Sequence, residues 1–339
     1  MATISTVDKT ITPDDLGKTL VHEHLQIGMP GWEFDPLISR PALSETVAVC
    51  IDRIAELQDA GFKSMIDPCP SDLGRDVTLM AEVASRTGFN IMCATGLYTR
   101  ELGAATYWDM QLRMNPDTAK YVADGYIKDI TEGIGDTGIK AGLIKLSTGN
   151  PPLSDYDAML IEAAGHAALA TGVPIISHTE AVLGDVQQER LTAMGVPAHR
   201  IIVGHSCGSD CFEYHMKIAT GGSYLGFDRF GLAMVQPDTT RVASLARVID
   251  AGAGDRVVIS HDTVWCSLGS FIPEDKMAEL GVNTTPMHFT NVIVPQLLEA
   301  GVTPAQIDTM LTDNPRRYFA GEALPTLPAL AHPESTIGA

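Results

Sequence analysis

The 339-residue sequence has few cysteines, few basic residues and no long apolar run. Its six cysteines are too few and too scattered for a disulfide framework in a chain of this length. The 23 Lys and Arg residues stand against 42 Asp and Glu residues, which leaves a formal net charge of −19. This balance argues against nucleic acid and anionic membranes as main partners, because both are bound by clustered cations.

Neither a membrane span nor a secretion signal is visible. No stretch approaches the ~18 to 20 uninterrupted apolar residues that a membrane helix needs. Residues 1–15 lack the basic region and the apolar run of a signal peptide. The sequence therefore predicts a soluble protein of the reducing cytoplasm, with an acidic surface that keeps it in solution.

What the sequence does contain is an apolar fraction of 45%, ample for a full core, and a repeated alternation of strand and helix patterns. Eight short apolar runs are typical of buried strands: Thr19–His22, Ser64–Asp67, Ile91–Thr95, Gly142–Leu146, Ile175–His178, Ile201–His205, Ser223–Phe227 and Val257–Asp262. Helical periodicity covers residues 44–60, 72–87, 118–134, 155–171, 184–194, 209–220, 239–251 and 289–300.

This alternation favours one closed barrel. Parallel strands need crossovers of helical length, and eight such units match a (β/α)8 TIM barrel better than an open sheet. No Gly-x-Gly-x-x-Gly follows the first strand, which weakens a dinucleotide-binding sheet. No linker divides the chain before about residue 322. We therefore expect residues 1–339 to form a single barrel domain, with a loosely packed Pro-rich tail from about 322.

The predicted strands end in polar residues that suit a metal site. In a TIM barrel the carboxyl ends of all strands meet at one mouth. His22 and His24 are two residues apart, so both face the same side of an extended strand. The residues at these ends are His22, His24, Lys145, His178, His205 and Asp262. All but Lys145 are ordinary ligands of divalent cations. One ion that keeps a coordination position open cannot use them all, so these residues favour a two-metal centre.

Lys145 needs its own explanation. A protonated lysine beside two dications would be repelled, whereas burial favours the neutral amine. A neutral amine can add carbon dioxide to give a carbamate, whose two oxygens can bridge both ions. A lysine that pairs with a carboxylate is the alternative that the residues leave open.

The motifs that carry these residues resemble the phosphotriesterase family of the amidohydrolase superfamily. The ligand-bearing motifs are His22-Glu23-His24, Ala141-Gly142-Leu143-Ile144-Lys145, Ser177-His178-Thr179, Gly204-His205-Ser206 and Ser260-His261-Asp262. Further matching motifs are Leu73-Gly74-Arg75-Asp76, Ala94-Thr95-Gly96-Leu97-Tyr98, Asp136-Thr137-Gly138-Ile139-Lys140 and Asp313-Asn314-Pro315-Arg316-Arg317. The resemblance covers about residues 15 to 320.

The resemblance implies an amidohydrolase-type barrel with two divalent metal ions. His22, His24 and Asp262 would hold the more buried ion, and His178 with His205 the exposed one. Carboxylated Lys145 and a hydroxide would bridge the two ions. These ligands suit zinc, cobalt, manganese and iron, of which zinc is expected here. A homodimer is common among such barrels.

Two positions favour the lactonase branch of that family. Tyr98 and Arg229 stand where the lactonases have a tyrosine over the metals and an arginine after strand seven. The short span from Arg229 to Asp262 is also lactonase-like. The small-molecule substrate would then be a lactone, such as an acyl-homoserine lactone. Tyr98 would stabilise the oxyanion, and Asp262 would accept a proton and pass it to the leaving alkoxide.

Departures from the family pattern keep other hypotheses open. Gly208 stands where a relay aspartate often lies, and Asp210 is its nearest substitute. In the eighth loop Trp265 is a candidate substrate contact; with Phe271 and Met287 it either lines an apolar pocket or packs a surface loop. The alternatives are an amidase or carboxylesterase, an organophosphate triester hydrolase, and a metal-bound binding protein without turnover.

Overall fold

The computed structural model describes residues 2–269, 272 and 274–327, without the side chains of residues 274 and 275. Its centre is an eight-stranded parallel sheet in which the strands pair in chain order. The sheet strands are β3 (Lys18–Leu20), β5 (Phe62–Asp67), β6 (Asn90–Gly96), β7 (Leu143–Ser147), β8 (Ile175–His178), β9 (Ile201–Val203), β10 (Tyr224–Phe227) and β11 (Val257–Ile259). The remaining strands are β1 (Ile4–Ser5), β2 (Thr10–Ile11), β4 (His24–Gly28) and β12 (Val264–Leu268).

The sheet closes between its first and last strands through irregular contacts. The Val21 N–H donates to the Ile259 carbonyl over 3.2 Å, and the Asp262 N–H donates to the His22 carbonyl over 2.9 Å. The fully buried Glu23 carboxylate accepts the Ser260 hydroxyl hydrogen over 2.7 Å. These bonds join the two ends of the sheet, and the predicted (β/α)8 barrel is confirmed.

Helices cover the outside of the barrel and pack apolar faces against it. Along α1, residues Val47, Cys50, Ile54 and Leu57 are buried at spacings of three and four, as an amphipathic helix requires. The helices are α1 (Leu43–Asp59), α2 (Val77–Thr87), α3 (Ala105–Met114), α4 (Thr118–Thr131), α5 (Asp155–Thr171), α6 (Gly184–Ala193), α7 (Phe212–Thr220), α8 (Asp238–Val248), α9 (Glu274–Met277), α10 (Val294–Glu299), α11 (Pro304–Asp308) and α12 (Asn314–Ala320).

The strand pleat places the polar residues at the mouth. Leu143 and Ile176 are fully buried in the cluster that fills the barrel interior. Side chains two residues apart on a strand share a face. Lys145 and His178 therefore project into the barrel one layer above Leu143 and Ile176, at its carboxyl end.

Three predicted strands stop before the residues expected to end them. The first, sixth and eighth end at Leu20, Val203 and Ile259. His205 and Asp262 follow instead in the left-handed region, with φ of 58° and 57°. The prediction that His22, His205 and Asp262 lie on strands was therefore wrong. His22 lies in a bend between β3 and β4, and His205 and Asp262 lie just past their strands in a backbone conformation uncommon outside glycine.

Other boundaries also differ from the sequence prediction. The helix expected from residue 72 begins at Val77, because the Asp76 carboxylate accepts the N–H groups of Thr78 and Leu79 and so caps its start. The sequence did not indicate helix α3, the parallel pairing of β4 with β12, or the helices that follow Pro304. The π-helical turn Phe289–Ile293 precedes α10.

The described part of the C-terminal tail is held against the barrel. Leu324 and Leu327 pack on the apolar clusters, and Arg256 donates to the Pro325 carbonyl. The other described tail residues, 322, 323, 325 and 326, are exposed. Residues 328–339 lie outside the described part, so the loose packing expected from about 322 stays a prediction. Within the described ranges, no helix is long and apolar enough to cross a membrane.

Candidate metal centre

Asp262 lies at the meeting point of three predicted ligand histidines. Its Oδ1 is 3.4 Å from His22 Nε2 and 3.2 Å from His24 Nε2. Its Oδ2 is 3.8 Å from His205 Nε2. The three histidines are almost completely buried, so their ring nitrogens face one enclosed volume.

The remaining predicted ligands complete the same cluster. Lys145 Nζ lies 3.2 Å from His22 Nε2. His178 Nδ1 lies 2.9 Å from His205 Nε2. The structure therefore brings all six sequence-predicted ligands together, although they come from five separate strand ends.

The donor set fits divalent cations. Ligand atoms of His22, His24 and Asp262 all lie within 4.8 Å of one another, close enough to hold one ion. His178 and His205 present facing ring nitrogens beside them. Imidazole and carboxylate donors of this kind suit zinc and other first-row metals.

Charge and burial act on these groups in opposite directions. Burial lowers the pKa of Lys145 to about 8, despite the nearby carboxylates of Asp262 and Asp228. Burial also lowers the pKa of His178 to about 4. Burial alone would raise the pKa of Asp262, but His22, His205 and Arg229 outweigh it and hold that pKa well below its ordinary value. The centre thus combines an ionised carboxylate with three imidazoles, those of His22, His178 and His205, whose pKa burial lowers. His24 differs: burial alone would lower its pKa, but hydrogen bonds to Asp262 and Asp67 outweigh burial and raise it.

Three carboxylates that the sequence analysis did not assign hold the ligand rings. Asp67 Oδ1 lies 3.1 Å from His24 Nδ1, and Glu180 Oε1 lies 2.9 Å from His178 Nε2. Asp228 lies 3.0 Å from the Nδ1 atoms of both His22 and His205. Each of the three ends a strand or follows one within two residues, and that position was the signal available in the sequence.

Tyr98 and Arg229 each contact one of the predicted ligands at the mouth. The Tyr98 hydroxyl is 3.4 Å from His178 Nδ1, and the Arg229 Nε–H donates to Asp262 Oδ2 over 2.9 Å. Burial raises the pKa of Tyr98, so its hydroxyl stays protonated near neutral pH. The mouth therefore offers one neutral donor and one cationic donor around the predicted ligands.

A cavity of about 270 Å³ opens beside Asp262, lined mainly by apolar side chains that include Leu232, Met234 and Val282. The Ala233 N–H donates to the Gly281 carbonyl, and the Asn283 N–H to the Gly231 carbonyl, both over 2.9 Å. The loop after β10 is thereby tied to the segment before residue 284, and together they form the cavity wall.

The residues predicted to line a substrate pocket in the eighth loop differ in where they lie. Trp265 is half-buried and packs on the apolar core, and its indole Nε1 has no hydrogen-bond partner among the described residues. Met287 also packs on that core. From the same strand as Trp265, Val264 lines the cavity beside Asp262. Phe271 lies outside the described residues.

At Gly208, where a relay aspartate often lies, there is no free space for a side chain. A Cβ added at Gly208 would lie 2.8 Å from the Ala181 Cβ, so a larger side chain there needs a shift. Asp210 is exposed. The hydrogen-bond partner of Asp262 at the mouth is instead Arg229.

Comparisons with known sequences agree with this geometry. The model of the phosphotriesterase family matches residues 2–319. A phosphotriesterase homology protein of Mycobacterium tuberculosis is 35% identical over 321 residues, which cover 94% of this chain and 98% of that protein. An aryldialkylphosphatase of Saccharolobus solfataricus is 32% identical over 320 residues, covering 92% of this chain and 97% of its own.

Solved structures show the same barrel. An organophosphorus hydrolase from Deinococcus radiodurans superposes with a TM-score of 0.90 at 34% identity, covering 94% of this chain and 97% of its own. A variant of a phosphotriesterase-like lactonase from the same organism gives a TM-score of 0.88 at 32% identity, covering 93% and 99%. The chain therefore belongs to the phosphotriesterase family of binuclear metal hydrolases.

Proposed function

We propose that this hydrolase opens lactones. The observation that carries the proposal is the pairing of Tyr98 and Arg229 over the ligand cluster, with an apolar cavity directly beside Asp262. A lactone needs a donor for its carbonyl or ring oxygen and an apolar space for its substituent. Arg229 as a donor and the apolar cavity both adjoin the Asp262 carboxylate. Trp265, on the strand after Asp262, is also proposed to contact the substrate.

The ligands are proposed to divide as the motifs imply. His22, His24 and Asp262 would hold one ion, His178 and His205 the other, with Lys145 as a bridging carbamate. The almost complete burial of Lys145 supports this role, because it favours the neutral amine that carboxylation requires. When bound, two divalent cations, with zinc as the proposed ion, lower the pKa of a shared water and polarise the substrate carbonyl.

The chain's own groups would then move the proton and orient the substrate. Asp262 accepts a proton from the attacking water and passes it to the alkoxide that leaves when the ring opens. The Arg229 Nε–H holds the Asp262 carboxylate in one orientation. The Tyr98 hydroxyl donates to the oxygen on which negative charge develops. With Gly208 closed to a relay aspartate, Asp262 itself delivers this proton to the leaving alkoxide.

A weak triesterase activity is a second proposal on the same centre. The two relatives named for phosphorus chemistry, the aryldialkylphosphatase and the organophosphorus hydrolase, share the barrel over more than nine-tenths of this chain. A phosphorus centre can accept the same attack with an aryl oxide as leaving group. The tyrosine and arginine at the mouth make lactones the preferred class.

Metal analysis coupled to a substrate panel tests the proposal. The purified protein would be assayed for bound metal and for hydrolysis of long-chain lactones, aryl triesters, carboxyl esters and amides. We expect two ions per chain, fast lactone opening and slow triester cleavage. Amide cleavage without lactone opening would identify an amidase, and full metal content with no turnover of any substrate would indicate a binding protein.

A cytoplasmic homodimer is the proposed state of the protein. All six cysteines are free thiols, as a reducing compartment requires. Apolar side chains stand exposed on one loop and one helix: Phe34 is 87% exposed, Leu37 90% and Met114 82%. These exposed apolar side chains are available for a contact between two subunits. Light scattering on the eluting protein would give twice the 36.2 kDa chain mass if the dimer forms.

A further inference from the structure

Asp228 contacts two ligand histidines at once. It directly follows β10 and is fully buried. Its Oδ2 lies 3.0 Å from His22 Nδ1, and its Oδ1 lies 3.0 Å from His205 Nδ1. The two imidazoles are stacked, with centroids 4.9 Å apart and planes 28° apart. One carboxylate therefore spans two rings that the proposed centre assigns to different ions.

Both rings turn their other nitrogen to the centre. His22 Nε2 lies 3.4 Å from Asp262 Oδ1, and His205 Nε2 lies 3.8 Å from Asp262 Oδ2. An ionised carboxylate only accepts hydrogen bonds, so a neutral imidazole beside it carries its hydrogen on Nδ1. The lone pair of each ring then stands on Nε2, the atom that must bind metal.

We propose that Asp228 is a positioning residue that couples the two metal sites, by holding His22 and His205 in the ligating tautomer together. The inference rests on the proposed two-metal centre. Asp67 and Glu180 contact His24 and His178 singly. Asp228 differs because its two oxygens serve one ligand on each side of the centre.

Replacing Asp228 with asparagine should affect His22 and His205 differently. Oδ1 of Asp228 also accepts the His205 backbone N–H over 2.8 Å. An amide NH2 at that place would face the His205 backbone N–H, and two donors cannot bond each other. The Asn oxygen must therefore stay on His205. The NH2 group then replaces Oδ2 and donates to His22 Nδ1. His22 is forced to carry its hydrogen on Nε2, where it cannot bind metal.

Metal binding by the Asp228→Asn variant tests this directly. Apoprotein would be titrated with Zn²⁺, with stoichiometry read by equilibrium dialysis and elemental analysis. We expect the wild type to bind two ions, the Asn variant to lose affinity at one site by roughly 10- to 100-fold, and Asp228→Ala to lose affinity at both. Asp250→Asn makes the same change at an exposed carboxylate just after α8 and is the matched control, which should bind two ions with unchanged affinity.

The histidine tautomers of the metal-free wild type give a second readout, which is measured on the wild-type protein itself. Proton–nitrogen correlation NMR distinguishes Nδ1–H from Nε2–H imidazole, with signals assigned through His22→Gln and His205→Gln. We expect Nδ1–H for both histidines. An Nε2–H signal from either, or two unweakened sites in Asp228→Asn, overturns the coupling. A wild type that binds no metal while showing both Nδ1–H tautomers overturns the proposed centre instead.

Discussion

The Arg229 guanidinium donates its Nε–H to Asp262 Oδ2 over 2.9 Å, at a mouth where both side chains are nearly buried. A hydrogen bond between charged groups in such a place contributes about 1.5–3 kcal/mol. The same carboxylate faces His22, His24 and His205 on its inner side. The position of Asp262 is therefore set from outside by Arg229 and from inside by the imidazoles.

Replacing Arg229 should make the Asp262 carboxylate, the proposed proton acceptor, more mobile without removing a metal ligand. For Arg229→Met we expect kcat/KM for a lactone to fall roughly tenfold to a hundredfold, the equivalent of one charged hydrogen bond. Bound metal should stay at the wild-type level, as measured by elemental analysis. Arg53→Met serves as the control, since Arg53 lies partly exposed on α1, where it pairs with Glu56. An equal loss of activity in this variant would contradict the assignment.

Lys145→Ala should lose the bound metal ions. Removing the proposed bridge leaves two cations facing each other with fewer anionic ligands, so metal content and lactone hydrolysis should fall together. Added short carboxylic acids should restore part of both, because their two oxygens can stand in for the carbamate. Metal content is measured after dialysis, and an unchanged value in the variant would refute the bridging role.

Tyr98→Phe should discriminate between substrates. The Tyr98 hydroxyl lies 3.4 Å from His178 Nδ1 and faces the predicted ligands. Its loss removes one donor for an oxyanion, which we expect to lower kcat/KM for lactones by about tenfold. Aryl triesters, whose leaving groups need less help, should lose less. Equal losses on both classes would count against the proposed contact.

Asp238 should make stability depend on pH. Burial alone would raise its pKa, but hydrogen bonds from His288 and the Gly231 N–H outweigh burial and lower it. A lowered folded-state pKa gives stability that is present above the unfolded value of about 3.9 and is lost as the pH falls through the folded value. Asp238→Asn should therefore cost about 1–2 kcal/mol at pH 7, and the difference from wild type should shrink at about pH 3.

Urea unfolding of both proteins at the two pH values measures the Asp238 effect. The exposed Asp250, two residues after α8, provides the control, and Asp250→Asn should change the free energy of unfolding little at either pH. A constant difference between wild type and Asp238→Asn across the pH range would show that the carboxylate charge is not the source of the stability.

The barrel and its ligands could be predicted from sequence because their signals are local. Apolar runs alternate with helical periodicity, and most runs end in or next to a polar residue whose place at the mouth follows from parallel pairing. Helix α3 escaped prediction because its exposed Tyr107, Met110 and Met114 blur the apolar face. The pairing of β4 with β12 joins segments about 240 residues apart along the chain, which no local pattern records.

By itself, the sequence determined the barrel architecture and the choice of six residues to propose as ligands, because strand and helix periods and residue chemistry are properties of neighbouring positions. The single-domain extent of residues 1–339 stays a prediction. Only the tertiary structure decided how the ligands face each other. His205 and Asp262 turn into the mouth through left-handed backbone, and Asp228 meets His22 across 206 positions of chain. Such contacts depend on where strands close in space, which a one-dimensional pattern cannot express.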